Sequence, residues 1–325
     1  MKRVLFMGAS RFGLRCLDAI RVQGSVDLSG VLTVPQTFPI SYAPQGVSLS
    51  NYGDFTSYAK AHEIPCHCMQ GSMHDSEVDE FIMATRPDCL IVVGWYHLLP
   101  DSILDICPAY GLHASLLPDY SGGAPLVWAI INGETRTGIT LFQMKSGVDN
   151  GPIVGSRDTD ITNSDTIATL YDRIEILGTE LLVEHLTSMA DGSVVAVPQN
   201  ESNRRIFPQR TPDDGEIDWS GSARQIYNFI RAQTRPYPGA FTICRGERVT
   251  LWDAECCEDL VLEDPPPSGA VLQISDGSII VMCGDGLALK LGIVTSGEQD
   301  QDAAQWHGDL LAEESDPVNF QSSTH

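Results

Sequence analysis

A histidine and an aspartate follow two predicted strands, at positions where open α/β sheets usually build their sites. His113 comes directly after the apolar run 109–112, and Asp149 lies in a glycine-flanked segment after the run 138–144. An imidazole held by a carboxylate can stabilise a developing oxyanion and move a proton near neutral pH. Taken singly, each residue also fits a structural role, so the spacing indicates proton-transfer chemistry without fixing the reaction.

The elements that must position this pair form a predicted α/β domain. Apolar residues at 4–7, helical spacing from 12 to 20 and a further apolar run at 26–34 predict a strand–helix–strand unit of a parallel sheet. The continuous apolar run 89–94 is typical of a buried central strand. We expect a surface loop at 35–52. Residues 8–13 predict a tight strand-to-helix turn, with an anion contact at the helix N-terminus as the alternative.

A second, smaller domain is expected beyond a linker at 207–215, which contains two prolines and an Asp-Asp-Gly turn. At least five short β runs between residues 241 and 293 predict a β-rich, barrel-like module of the OB type. The predicted fold class is therefore α/β, a Rossmann-like parallel-sheet domain followed by this small β domain. The predicted limits are 1–206 and 207–298, with a flexible acidic tail at 299–325.

The charge of the chain bears on its partners. The formal net charge is −23, and residues 253–325 hold 15 acidic side chains against Lys290 alone. A protein that grips a polyanion gains affinity by neutralising phosphates with lysine and arginine. Residues 35–52 contain neither, and Asp119 and Ser121 follow the Leu-Leu-Pro where basic residues would serve a nucleic acid. The composition therefore argues against a nucleic-acid partner.

The remaining composition indicates a cytoplasmic protein that does not enter a membrane. No apolar run approaches the roughly 18 residues that a membrane helix needs. The nine cysteines are an odd number without a Cys-x-x-Cys spacing, which is typical of reduced, structural thiols. His62, Cys66, His67 and Cys68 lie close together but lack the paired spacing of a structural zinc site, so no metal is expected.

Several longer motifs surround His113 and Asp149. They are GLHASLLP at 111–118, GGAP at 122–125, WAIINGE at 128–134, TGIT at 137–140 and GVDNG at 147–151. In this ordered set the chain closely resembles the 10-formyltetrahydrofolate-dependent formyltransferase family. The resemblance extends to about residue 295, because RTPDDGEIDW at 210–219 and RPYPGAF at 235–241 are similar to that family's C-terminal, barrel-like domain.

The resemblance implies an enzyme, an N-formyltransferase with 10-formyltetrahydrofolate as co-substrate. His113 matches the catalytic histidine, which stabilises the tetrahedral intermediate formed when an amine attacks the formyl carbon. Asp149 matches the aspartate that assists it and helps remove the amine proton. Folate would lie in an apolar cleft between two walls, and Trp95 and Tyr96 could stack on its pterin. The wall residues are Trp95, Tyr96, His97, Leu98 and Leu99 on one side, and Lys145, Ser146, Gly147 and Val148 on the other.

The sequence departs from the family at the third catalytic position. The family has an asparagine two residues before the histidine, and Gly111 stands there. An amide that hydrogen-bonds the formyl oxygen contributes roughly 3–4 kcal/mol at the transition state. A backbone N–H, a bound water or Asn150 would have to replace it. A relative that hydrolyses 10-formyltetrahydrofolate also lacks this asparagine, so hydrolysis and a non-catalytic folate-binding protein remain alternatives.

The acceptor amine is the more open question. Branches of the family formylate methionyl-tRNA, nucleotide-linked amino sugars or a purine precursor. The scarcity of basic residues argues against tRNA, whereas the motifs at 210–214 and 235–239 are most similar to the sugar-modifying branch. The expectation is therefore a nucleotide-linked amino sugar, with the sugar and nucleotide left open, and methionyl-tRNA as the alternative. A homodimer is one assembly that this organisation allows.

Overall fold

The computed structural model describes residues 1–40, 43–257, 260, 264–273, 276–297, 299–313 and 318–321. The chain divides into two compact units. The first comprises Met1–Pro125, Arg136–Asp160 and Asp172–Phe207, and the second comprises Leu126–Thr135, Ile161–Tyr171 and Pro208–His325. The last break thus falls after Phe207. Two short earlier segments group with the second unit, which a boundary drawn along the sequence does not anticipate.

The strands and helices of the chain up to residue 207 surround one seven-stranded sheet, in the order β10-β9-β7-β6-β1-β2-β5. The strands are β1 Arg3–Met7, β2 Asp27–Thr33, β3 Thr37–Ile40, β4 Ala43–Ser48, β5 Cys66–Cys68, β6 Cys89–Val92, β7 Ala109–His113, β8 Ser121–Gly122, β9 Arg136–Gln143, β10 Ile153–Asp160 and β11 Ile206–Phe207. The helices are α1 Arg11–Gln23, α2 Phe55–Ala61, α3 Ser76–Thr85, α4 Asp101–Leu104, α5 Pro125–Ile131 and α6 Ile167–Asp191.

The turn between β1 and α1 is tight because two glycines approach the backbone of the neighbouring strand. A Cβ atom at Gly8 would lie 2.7 Å from the carbonyl oxygen of Val93, and one at Gly13 would lie 2.6 Å from it. Ser10 begins the helix, accepting a hydrogen bond from the Gly13 N–H. The predicted strand-to-helix turn is confirmed, and close packing accounts for both glycines.

Two sequence expectations for this sheet were incomplete. The expected loop at 35–52 contains an antiparallel hairpin of β3 and β4, although residues 41–42 lie outside the described part. Proline hid this hairpin, because a two-stranded ribbon with open edges tolerates prolines that a central strand excludes. In the main sheet, β9 runs antiparallel to β7 and β10 antiparallel to β9, so a purely parallel sheet was wrong at this edge.

The second unit contains two four-stranded antiparallel sheets, in the orders β12-β13-β18-β19 and β14-β17-β16-β15. A core that includes Ile230, Leu251 and Leu289 lies among these elements. Their bounds are β12 Ala240–Cys244, β13 Glu247–Leu251, β14 Glu255–Cys257, β15 Val271–Gln273, β16 Ile279–Met282, β17 Ala288–Leu291, β18 Ile293–Ser296, β19 Gln299–Asp302, α7 Ala223–Gln233 and α8 Ala303–Glu313.

The expectation of a flexible tail from residue 299 was wrong for the described residues. Strand β19 pairs with β18, and helix α8 follows it. Trp306 and Phe320 are each only 4% exposed in the core of the second unit. Their burial explains the order, because two large aromatic side chains outweigh the acidic composition from which a tail was predicted. Residues 298, 314–317 and 322–325 lie outside the described part.

Three findings concern the wider chemistry of the described residues. All nine cysteines are free, and burial raises the pKa of the Cys16 and Cys89 thiols to about 12. No group of three or more histidine, cysteine or acidic side chains among these residues could hold a metal ion. Within the same part of the chain, every helix is too short or too polar to cross a membrane.

Candidate active site

His113 is the last residue of β7, and its ring is held from two sides. Nε2 lies 2.8 Å from the carbonyl oxygen of Tyr120, so this nitrogen donates, because a carbonyl oxygen can only accept. Nδ1 faces the Asp149 carboxylate, with 3.5 Å between Nδ1 and Oδ2. The histidine side chain is 11% exposed. The ring is therefore oriented with both nitrogens beside acceptors.

Asp149 reaches the histidine by an unexpected route. Because β9 is antiparallel to β7, the pair does not follow two parallel strands, and the inference from strand ends was wrong in this respect. The connection between β9 and β10, residues 144–152, turns back and carries the carboxylate to His113. Asp149 has a φ of 48°, and its Oδ2 accepts a hydrogen bond of 2.8 Å from the Gly122 N–H. The two predicted residues are brought together by this loop.

A buried threonine anchors the segment that follows His113. Thr140 on β9 donates to the carbonyl oxygen of Ser115 at 2.7 Å and accepts from the Leu117 N–H at 3.1 Å. Ser115 in turn donates to the carbonyl oxygen of Asp119 at 2.6 Å. These bonds fix the turn that presents the Tyr120 carbonyl to the histidine.

Gly111 lies on β7 opposite Phe142 of β9. A Cβ atom at this position would lie 3.3 Å from the sulfur of Met144 and 3.5 Å from the Phe142 ring. The space is tight, but the Met144 thioether is flexible enough to yield by a few tenths of an ångström. Asn150 donates to the carbonyl oxygen of Ser146 at 2.9 Å, so it is engaged within its own loop.

The first predicted folate wall begins just after β6. Trp95, Tyr96 and Leu99 pack against the hydrophobic cluster that also includes Met144, whereas Leu98 is 76% exposed. The His97 ring lies 5.6 Å from the Trp95 ring. Trp95 Nε1 and His97 Nε2 are buried and have no hydrogen-bond partner among the described residues. Burial lowers the pKa of His97 below its ordinary value, so the ring is neutral at pH 7.

The second predicted wall, Lys145, Ser146, Gly147 and Val148, is exposed. Its cation lies in a loop, while the other basic side chains nearby are matched by carboxylates. Arg205 forms a bidentate ion pair with Asp119, at 2.6 Å for both bonds, and Arg204 pairs with Glu201. The local electrostatics are therefore close to neutral beside the histidine.

Sequence reasoning missed the segment 197–207, which contacts both loops of the site. Gln199 donates to the carbonyl oxygens of Asp149 and Gly151, and Arg204 donates to that of Val148. These residues carried no signal because they lie about 50 positions beyond Asp149, in a stretch assigned to the end of a domain.

Comparison with known proteins follows from this geometry. Residues 2–186 match the model of the formyl transferase family, and residues 210–309 match that of the formyl transferase C-terminal domain. The chain belongs to the formyltransferase family. Its relatives include the methionyl-tRNA formyltransferase of Alkaliphilus oremlandii, 33% identical over 91% of this chain and 93% of that protein. That of Pelobacter propionicus is 34% identical over 94% and 92%.

A solved structure shows that the family's fold is shared. WlaRD is a sugar 3N-formyl transferase whose crystal structure was determined in the presence of dTDP and 5-N-formyl-THF. It superposes with a TM-score of 0.66 at 15% identity, covering 92% of this chain and 99% of WlaRD. At that identity the match supports the Rossmann-like fold with a C-terminal antiparallel domain.

Proposed function

We propose that this chain transfers the formyl group of 10-formyltetrahydrofolate to a primary amine, with His113 and Asp149 as its catalytic residues. The observation that carries the proposal is the 3.5 Å approach of His113 Nδ1 to Asp149 Oδ2, within a chain of the formyltransferase family. This distance exceeds an ordinary hydrogen bond. An Nδ1–H group can therefore also reach a formyl oxygen placed beside the carboxylate.

The steps follow from those positions. The amine nitrogen attacks the formyl carbon, and the carbonyl electron pair moves to oxygen, where His113 donates a hydrogen bond to the oxyanion. Asp149 accepts the proton that the amine loses. When the intermediate collapses, the bond from carbon to folate N10 breaks. N10 takes the proton, and tetrahydrofolate and the formylated amine leave.

Folate would be bound by the segment 95–99 and by residues 145–148. Trp95 Nε1 and His97 Nε2 support this assignment, because buried polar atoms without a partner are costly unless a ligand satisfies them. The aromatic faces suit a pterin ring. At Gly111 a backbone N–H or a water supplies the hydrogen bond that the family's asparagine makes, since Asn150 is engaged elsewhere.

The proposed acceptor is methionyl-tRNA. The relatives that align along almost the whole chain are named methionyl-tRNA formyltransferases, whereas the sugar-modifying structure supports the fold alone. This comparison outweighs the expectation of an amino sugar, because overall charge measures the average surface and a tRNA contact needs only a local patch.

A nucleotide-linked amino sugar is the second candidate, and a specific observation favours it. Arg205, close to the catalytic histidine's loop, is neutralised by Asp119, and residues 35–52 contain no lysine or arginine. A small nucleotide requires only two or three N–H or cationic donors. A folded tRNA requires many phosphate contacts and gives a steep salt dependence.

One assay tests these proposals together. The full chain is incubated with 10-formyltetrahydrofolate and methionyl-tRNA, with dTDP-, UDP- or GDP-linked amino sugars, or with no acceptor. Formylated product and formate are measured in parallel, and His113→Ala serves as the inactive control. Formylmethionyl-tRNA supports the proposed acceptor, and a formylated sugar supports the second. Formate as the main product under every condition indicates a hydrolase. Folate binding without turnover indicates a non-catalytic protein, and either result contradicts formyl transfer.

A further inference from the structure

The segment 197–207, here called the strap, is joined by backbone hydrogen bonds to both loops of the site. At its start, Val197 exchanges two bonds of 2.8 Å with Ile153, directly after the Asp149 loop. At its end, the Ser121 N–H donates to the Arg205 carbonyl at 3.0 Å, and strand β11 pairs with β8. The strap therefore spans from the loop of Asp149 to the loop that contacts His113.

Two side chains of the strap bind the backbone around Asp149. Gln199 Nε2 donates to the carbonyl oxygens of Asp149 and Gly151, at 2.7 Å each. Arg204 Nη1 donates to the carbonyl oxygen of Val148 at 3.0 Å, and its Nη2 donates to Gln199 Oε1 at 3.2 Å. Three carbonyls within four residues are thus satisfied by one glutamine and the arginine that braces it.

These bonds matter because the Asp149 backbone is unfavourable by itself. Its φ of 48° lies in the left-handed region, which side-chain-bearing residues seldom occupy. Such a conformation persists where surrounding contacts over-determine it. The same backbone orientation directs the carboxylate towards His113 Nδ1 and the Gly122 N–H. Losing the strap's donors would free the loop to relax and carry Oδ2 away from the histidine.

We infer that Gln199 is a positioning residue for formyl transfer, acting through Asp149, with Arg204 as its brace. The inference rests on the proposed function, because it assigns Asp149 a catalytic role. Gln199 contacts neither the histidine ring nor the predicted folate wall 95–99 in the bonds described. Its effect is therefore confined to the orientation of the carboxylate and should appear in kcat.

The first test is Gln199→Met, which keeps the side-chain length and removes the donor. A displacement of the carboxylate by about 1 Å lowers kcat by about 10- to 100-fold, while the KM for 10-formyltetrahydrofolate stays within about threefold. The matched control is Gln209→Met, at an exposed position outside the strap, which leaves both constants unchanged. In the Asp149→Asn background, Gln199→Met has no further effect on the residual rate. An unchanged kcat, or a full additional loss in that background, overturns the inference.

The second test does not depend on turnover. Amide hydrogen exchange of the peptide 145–152 becomes faster in Gln199→Met and stays unchanged in Gln209→Met. If the wild type formylates nothing, the proposed function fails, and exchange alone decides whether Gln199 positions this loop. Gln199→Lys, which restores a donor, covers the case in which the methionine variant does not fold. It retains exchange protection, and unprotected amides in a folded lysine variant would falsify the inference.

Discussion

The Asp149 loop and the segment 95–99 lie in the same unit but satisfy their polar groups differently. Around Asp149, carboxylate and carbonyl oxygens all receive donors from Gly122, Gln199 and Arg204. In the segment 95–99, Trp95 Nε1 and His97 Nε2 are buried without partners among the described residues. The protein itself completes the groups proposed for chemistry, whereas the groups proposed for binding require a ligand. Preorganised dipoles are what transition-state stabilisation demands.

The largest expected effect comes from the catalytic pair. His113→Ala and Asp149→Ala should each lower the rate of transfer by about 100-fold or more, because both remove a group that acts on the transition state. Circular dichroism and thermal unfolding should show an intact fold. His74→Ala, at an exposed histidine, is the control for general effects. Activity above about a tenth of wild type in either variant would remove that residue from the catalytic pair.

A smaller effect is expected at Gly111. If a backbone or water donor already serves the formyl oxygen, Gly111→Asn should change the rate by about tenfold or less. Met144 has to shift by a few tenths of an ångström, so a modest loss of stability accompanies the substitution. Formate and formylated product are measured for both proteins. A shift from formate towards product in the variant would show instead that the wild-type site favours hydrolysis.

The segment 95–99 should respond in the opposite sense for stability and for binding. His97→Phe removes an unpartnered nitrogen from a position surrounded by the Phe38 and Trp95 rings. The midpoint of thermal unfolding should stay unchanged or rise, while the Kd for 10-formyltetrahydrofolate should rise about 3- to 10-fold. Calorimetry checks the first quantity and titration of the co-substrate the second. A lower midpoint with unchanged affinity would mean that His97 is structural.

The smallest expected effect is a pH dependence of stability. Burial holds the pKa of His97 below its ordinary value of 6.5. As the pH falls below that value, the unfolded chain takes up a proton that the folded chain resists, so the free energy of unfolding decreases. His307, whose pKa is also lowered by burial, contributes in the same direction. Thermal unfolding between about pH 8 and about pH 5.5 should show a shallower decline in His97→Phe than in wild type. Identical slopes would contradict the buried, neutral state of His97.

Much of the site was predictable because its signals are local. Glycine and helical spacing defined the turn between β1 and α1, and apolar runs defined β1, β6 and β7. The family motifs pointed to His113 and Asp149, which the structure places 3.5 Å apart between Nδ1 and Oδ2. Local periodicity succeeds at such positions because each residue's burial and backbone geometry depend mainly on its neighbours in sequence.

The tertiary structure decided which distant groups meet. Periodicity could not give the antiparallel direction of β9, since a strand has the same alternation in either direction. The bond from Gln199 to the Asp149 carbonyl joins residues 50 positions apart, and nothing in either local sequence specifies it. The burial of Trp306 and Phe320 likewise overrode an acidic composition. The sequence by itself determined the reacting residue types and their strands, and long-range packing and hydrogen bonding decided their orientation and support.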